Sequence, residues 1–371
     1  MRIGVPKEIK NEERRVGLTP DSVGELSARG HNVLVEHHAG AGAGFSDEDY
    51  AAGGATVVAS ADGVFDAAEL IVKVKEPQAV ERARLRPDHT LFTYLHLAAD
   101  PEQAAELLAS GATAIAYESV TDSYGRLPLL APMSQVAGRM SIQAGAHCLE
   151  GAAGGRGVLL GGVPGVAAAP VVIVGGGVVG SNAVQMALGL GADVTVLDRD
   201  PAVLGKLAAR FGPSLRTRRS DAGALERAVV GADLVVGAVL LRGARAPRLI
   251  TQQMVKKMRP GAVLVDVAID QGGCAATSHP TTHADPTFTA EGVVHYCVAN
   301  MPGAVPRTST LALNNATLPY VLRIADAGPL AAMRADAGLR DGLNVYEGRI
   351  TEPAVAKSLG LPYTAPAVCL N

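Results

Sequence analysis

The sequence predicts an α/β protein of two Rossmann-like domains with a cleft between them, the second a doubly wound parallel sheet that binds a dinucleotide. Three observations predict it. Short β-branched runs alternate with Ala-rich helical segments, a second series of the same kind begins at Val171, and a Gly-x-Gly-x-x-Gly turn stands at the head of that second series. Length agrees, because 371 residues suffice for two domains with separate hydrophobic cores.

In the first third the strand-like runs are RIGVP, NVLVEH, ATVV, LIVKVK, TLFTYLH and TAIAYE. LIVKVK puts Lys73 and Lys75 on one strand face, a pattern that a solvated edge and a ligand site explain equally well. From Leu129 to Pro170 the chain changes character. Met133, Val136, Ala137 and Met140 recur at helical spacing after Pro132, and a Gly-rich loop follows. The second series is VVIVGGG, DVTVLD, ADLVVGAV, AVLVDVAID and VVHYCVAN, at the spacing of βαβ units. After Pro302 come two helix-like segments and no strand series, so the tail packs onto one of the two domains.

Composition excludes several classes. With 48% hydrophobic and 19% charged residues and a net charge of −3, neither disorder nor a polyanion-binding surface is indicated, so nucleic acid is not an expected partner. No run approaches the roughly 20 apolar residues of a membrane span, and the N-terminus lacks a signal-peptide core. A soluble cytoplasmic protein is expected. Cys148, Cys274, Cys297 and Cys369 are scattered without CxxC spacing, as buried thiols rather than a disulfide or zinc framework. His37 and His38 lack a second ligand pair at metal spacing, and no metal is expected.

The segment from Val171 to Asp198 carries the cofactor signal. Gly175 permits the tight turn, Gly177 lets a pyrophosphate approach backbone amides, and Gly180 lets the following helix pack against its strand. Asp198 closes the next strand, where a carboxylate accepts from the adenosine ribose hydroxyls and repels a 2′-phosphate. NAD is therefore expected over NADP, although Arg199 offers a phosphate partner.

Ligands of such sheets bind beyond the carboxyl ends of the strands, which singles out Lys75, His96 and Glu118 in the first domain and Asp270 and Asn300 in the second. Arg14 and Arg15 follow the first strand within a run that reads most simply as a solvated charged loop, and position does not choose between them. Nicotinamide chemistry needs a proton-transferring group, which His96 supplies. It also needs positive charge for an acidic substrate, which an arginine and Lys75 supply. Asp270 suits a water, an ammonium or a ribose hydroxyl.

Taken together, MRIGVPKEIKNEERRVGLTP, KVKEP, TYLHLA, LPLLAPMS, VIVGGGVVG, VLVDVAIDQGGC and HYCVANMPGAVPRTST resemble the bacterial L-alanine dehydrogenase family over essentially the whole chain. The soluble part of nicotinamide nucleotide transhydrogenase shares much of the pattern. The resemblance implies reversible NAD-dependent oxidative deamination of L-alanine to pyruvate and ammonium, by a homohexamer. It implies that Arg15 and Lys75 bind substrate, with Asn300 beside them, and that His96 and Asp270 are the acid/base pair. Cofactor contacts carry over onto Ser134, the glycine loop with Val178 and Val179, and Asp198 and Ser220. Further contacts carry over onto Val239, Leu240, Val267, Ala268, Ile269 and Asp270, and onto Val298, Ala299, Asn300 and Met301. The tail would return to the first domain, giving a substrate/catalytic domain of 1–128 plus 307–371 and an NAD-binding domain of 129–306. The chain departs from the family pattern at Gln135, Val203, Ala276 and His279, which bears on cofactor affinity. It also has Arg323 and Ala327 where some members carry an acid and a histidine suited to magnesium. Two other readings are a transhydrogenase subunit, which lacks its membrane segments here, and a non-catalytic NAD-binding protein, which would not need Arg15, Lys75, His96 and Asp270 together.

Overall fold

The protein is described by a computed structural model covering residues 1–239 and 246–370. It divides into two compact units, Met1–Met133 with Val305–Asn371, and Ser134–Ala304.

The first unit holds strands β1 (Arg2–Val5), β2 (Asn32–Glu36), β3 (Thr56–Val58), β4 (Leu70–Val72), β5 (Thr90–Thr93) and β6 (Thr113–Ala116). To these the tail adds β14 (Leu343–Tyr346) and β15 (Arg349–Ile350). Their order is β15-β14-β6-β5-β4-β1-β2-β3. Strands β1 to β6 are parallel, with Ile3 paired to Val33 on one side and to Leu70 on the other. Chain order therefore reverses between β1 and β4, which makes the carboxyl ends of those strands the crevice of a doubly wound sheet. Every residue of β4, β5 and β6 is buried, which is why each position in these runs is apolar or a threonine instead of alternating with charged residues. Phe65, Ile71, Leu91 and Leu107 pack in the core beside them, each burial stabilising by about 1.5–3 kcal/mol. The helix Pro306–Ala327 is tied to the loop after β1, where the Val16 N–H donates to Thr310 Oγ1 (3.3 Å) and the Thr19 N–H to Asn314 Oδ1 (3.0 Å).

The second unit contains β7 (Pro170–Val174), β8 (Asp193–Asp198), β9 (Leu215–Arg219), β10 (Leu234–Gly237), β11 (Val263–Asp266), β12 (Thr287–Ala290) and β13 (Val293–Tyr296). The order is β12-β13-β11-β10-β7-β8-β9, parallel except for β12, and the reversal lies between β7 and β10. Helix starts are set by short polar caps: Asp200, Asp221 and Thr251 each accept from a first-turn amide.

Four strands were not legible in the sequence. β9 (LRTRR) and β12 are sheet edges with exposed, polar faces, so they lack an apolar run. β14 and β15 form a hairpin whose turn residues, Glu347 and Gly348, both take positive φ (46° and 73°), as a type I′ turn requires. Among the cysteines, Cys148, Cys274 and Cys297 are buried thiols, whereas Cys369 is partly exposed.

Candidate functional site

In the second unit the glycine loop leaves β7 at its reversal point. Gly175 has φ +103°, and a Cβ there would lie 2.5 Å from the Ala238 carbonyl oxygen, so the turn is pressed against the segment after β10 that carries Val239. Gly177 is exposed with open space where a Cβ would stand. It precedes the helix Val178–Gly189, which has no side-chain cap on its N-terminal amides. Unclaimed amides on open space at a helix N-terminus suit a pyrophosphate. Asp198 Oδ2 accepts from the Gly176 N–H (2.7 Å) and Oδ1 from the Asp200 N–H (2.9 Å), so the carboxylate expected to meet a ribose braces the loop. Each oxygen keeps a lone pair for a further donor. Ser220 lies beside it, its N–H on the Asp198 carbonyl (2.8 Å), and Val203 packs beneath Gly176.

Gly180 is the strictest position in this loop, since a Cβ would fall 1.8 Å from the Gly175 oxygen. Gly180→Ala must push the helix off the strand, at a cost of about 1–3 kcal/mol. Expected are a lower Tm and weaker NADH binding by fluorescence titration; unchanged values for both would show that the helix has room to move.

The other expected cofactor contacts divide by burial. Ala268, Ile269, Val298 and Met301 are buried, Val267 and Ser134 are half-buried, and Val178 and Ala299 are exposed. Leu240 lies outside the described residues. Asp270 and Asn300 do not end strands as the sequence suggested: β11 stops at Asp266, and Asp270 sits in the 3₁₀ turn Val267–Gln271. The strand-end carboxylate is Asp266, fully buried and accepting from the amides of Ala268, Cys274 and Ala275. It shapes the turn that presents exposed Asp270, whose Oδ1 accepts from the Asn300 N–H (3.3 Å). Asn300, at φ +62°, lies four residues past β13 in a conformation that asparagine tolerates.

In the first unit the candidates lie beyond β1, β4 and β5, adjacent parallel strands of one sheet. Arg14 is exposed and Arg15 is 2% exposed, so the solvated-loop reading fails for Arg15. Its guanidinium is gripped by Glu13, with Nε donating to Oε1 (2.7 Å), and its Nη1 faces Met133 Sδ (3.0 Å). Burial pulls its pKa down, but the bond and charge of Glu13 outweigh this and raise it, so the desolvated cation is secure.

The two lysines part company. β4 stops at Val72, and Lys73 turns into the core with no exposure. Its ammonium bonds Glu8 Oε2 (3.0 Å) and Glu81 Oε1 (2.6 Å), which corrects the solvated-edge reading of this residue. Glu8 also accepts from the Val74 N–H (2.6 Å) and the Lys75 N–H (3.2 Å), while Glu81 accepts from the Gln78 N–H (2.7 Å). Residues 73–78 are thereby nailed down by two buried carboxylates, and Lys75 projects from a fixed backbone. Burial raises the Glu8 pKa, with Lys73 opposing. Lys75 Nζ lies 3.9 Å from Glu76 Oε2; burial would raise the Glu76 pKa, but Lys75 and Lys10 outweigh it and hold the carboxyl below its usual range.

His96 follows β5 at φ +52°, with its ring half exposed. Glu118, from the end of β6, accepts from the amides of Leu95 (3.2 Å) and His96 (2.6 Å) and places a carboxylate oxygen 3.9 Å from His96 Nδ1. On the other side the ring stacks on Tyr94 at 5.8 Å and 7°. Tyr94 is itself fixed by donating to the Leu129 carbonyl (2.5 Å). Glu118 thus fixes the backbone of His96 and sets a carboxylate near its ring, and Tyr94 offers the ring an aromatic face, an arrangement suited to moving protons.

Sequence reasoning missed Glu8, Glu13, Glu81 and Tyr94. The first two sit inside the charged run KEIKNEERR, where nothing distinguishes a buried carboxylate from a solvated one. The one available signal was indirect: a lysine continuing an apolar strand needs a buried counter-charge.

Family models described as the N-terminal and C-terminal domains of alanine dehydrogenase/PNT match residues 4–137 and 141–353. Alanine dehydrogenase of Halomonas elongata is 60% identical over 99% of this chain and 99% of that protein. The Bacillus subtilis enzyme of the same name is 55% identical over 98% and 96%. A solved L-alanine dehydrogenase superposes with a TM-score of 0.94 at 53% identity, covering 97% of this chain and 99% of the other. The transhydrogenase of Sinorhizobium meliloti, at 24% identity and a TM-score of 0.81, shares the fold. With two reversal-point sheets, a braced glycine loop and both family models matching in order, this chain belongs to the alanine dehydrogenase/PNT family.

Proposed function

We propose that the chain catalyses the reversible oxidative deamination of L-alanine to pyruvate and ammonium with NAD. The observation that carries this reading is the set Arg15, Lys75 and His96, each held by its own carboxylate beyond adjacent strands of one sheet, in a chain 60% identical over its length to an alanine dehydrogenase. Bound NAD would supply the hydride acceptor for the alanine Cα–H, resting on Gly175, Gly177, Gly180 and Asp198. Arg15 holds the substrate carboxylate, its desolvated charge being stronger than one in water. Lys75 donates to the oxygen on the oxidised carbon once water has added, and the hold of Arg15 on the carboxylate retains the iminium until then. His96 takes a proton from that water and returns one to the amine as the carbinolamine collapses. Asp270 and Asn300 are assigned to the same chemistry as acid/base partner and substrate ligand. Asp198 supports NAD over NADP, because a 2′-phosphate would meet a carboxylate whose oxygens already serve the loop.

The reading extends to a homohexamer, as the family resemblance implies, and to the cytoplasm, as the N-terminal sequence leads us to expect, with substrate residues on 1–128 plus 307–371 and dinucleotide residues on 129–306. Among the described residues, no helix is long and apolar enough to cross a membrane. Steady-state assays with a panel of amino acids and both dinucleotides test the proposal. Expected is NADH formation with L-alanine and a preference of at least about tenfold for NAD over NADP, the factor that about 1.4 kcal/mol supplies. Dinucleotide binding without turnover of any amino acid would support the non-catalytic reading instead.

A further inference from the structure

Among the described residues, one cluster of metal-ligating side chains lies outside those used above. β2 ends at Glu36, and the next two residues are His37 and His38. In an extended chain adjacent side chains point to opposite faces. Here His38 takes φ +60°, which turns the two imidazoles to the same side, with ring centroids 3.5 Å apart. Asp47, the first residue of the helix Asp47–Ala52, faces both: its Oδ2 is 2.5 Å from His37 Nδ1 and 3.5 Å from His38 Nδ1, and its Oδ1 accepts from the His38 N–H (2.9 Å). One potential ligand atom from each residue lies within 4.8 Å of the other two.

We propose that His37, His38 and Asp47 form a binding site for a divalent transition-metal ion of the zinc or nickel type. Imidazole nitrogen with one carboxylate selects these borderline ions over magnesium or calcium, which take oxygen. Bonds of about 2.0–2.2 Å in a tetrahedral site put ligand atoms roughly 3.3 Å apart, within the spread that these side chains already show. Both imidazoles are more than half exposed, so an ion enters without unfolding and solvent completes its coordination. Spacing in the sequence concealed the site, because the third ligand arrives from the far end of a Gly-rich loop. The ion clips the end of β2 to the start of the next helix. It thereby closes the loop in which Gly42 packs against the Arg14 backbone and the carbonyls of Ala43 and Gly44 accept from Arg307.

Calorimetric titration of the full chain with ZnCl₂ and with NiCl₂ tests this, alongside thermal melts with and without each metal. Three variants keep the backbone: His37→Gln, His38→Asn, which tolerates positive φ, and Asp47→Asn, which retains the amide acceptor. Expected is one saturable site per chain and a metal-dependent rise in Tm that EDTA reverses, with affinity at least tenfold weaker and the rise lost in each variant. Absence of saturable binding, or binding that the three variants leave unchanged, overturns the site. In the second case the ion sits elsewhere, partly exposed Cys369 being one ligand to inspect.

Discussion

Alanine turnover falls by about 10²–10⁴-fold in His96→Asn, the usual contribution of a positioned proton-transfer group, while NADH binding stays unchanged. Asparagine is the informative substitution because His96 sits at φ +52°, where a left-handed backbone costs ordinary residues about 1–2 kcal/mol. Its amide can still donate to Glu118, and its ring is half exposed, so little packing is lost. His96→Ala adds backbone strain to the loss of the imidazole, and a larger effect in alanine than in asparagine would measure that strain. Affinity for NADH is expected to survive because the glycine loop and Asp198 belong to a different sheet. Full turnover in His96→Asn would remove this residue from proton transfer and leave Asp270 as the group to examine.

The second large effect separates two lysines that sit two residues apart. Lys73→Met is expected to destabilise the first unit by about 3–5 kcal/mol, the range for removing one partner from a buried ionic cluster. Lys73 and its partners Glu8 and Glu81 are all within 2% of complete burial, so the two carboxylates would lose the ammonium that neutralises them while still bound to backbone amides. Burial lowers the Lys73 pKa, but Glu8 and Glu81 outweigh it and raise it above the ordinary 10.5. A raised folded value means that this contribution is fully present below the ordinary lysine value and is lost as pH climbs through the folded one, so neutral conditions show the whole effect. Lys75→Ala should do the reverse, leaving the denaturation midpoint near that of the parent protein while alanine turnover collapses. Equal stability of Lys73→Met and the parent would mean that the cluster relaxes or takes up protons at no cost.

Legibility of the candidate site follows the range of the interactions that build it. The glycine loop and Asp198 were readable because a strand, a tight turn, a helix start and the next strand end are consecutive in the chain. The pairing of Lys73 with Glu8 was not, since the partners are 65 residues apart and meet only when β1 and β4 become neighbours. Asp270 was found on an incorrect premise, as the end of a strand that stops four residues earlier. What brings it to the surface is a turn wound around buried Asp266. Edge strands such as β9, whose LRTRR carries arginines on its exposed faces, were invisible because apolar periodicity records burial, and an edge has little.

By itself the sequence determined two parallel α/β sheets, the glycine turn after β7 and the acid at the end of β8, because these depend on local backbone geometry and on runs of residues buried on both faces. Tertiary structure alone decided that Arg15 and not Arg14 is the desolvated cation, that Lys73 is held in the core while Lys75 projects from it, and that Glu118 and Tyr94 flank His96. The physical reason is that a charge acquires its strength and its pKa from what surrounds it. Glu8, which pairs with Lys73, and Met133, which covers Arg15, come from 65 and 118 residues away in the chain.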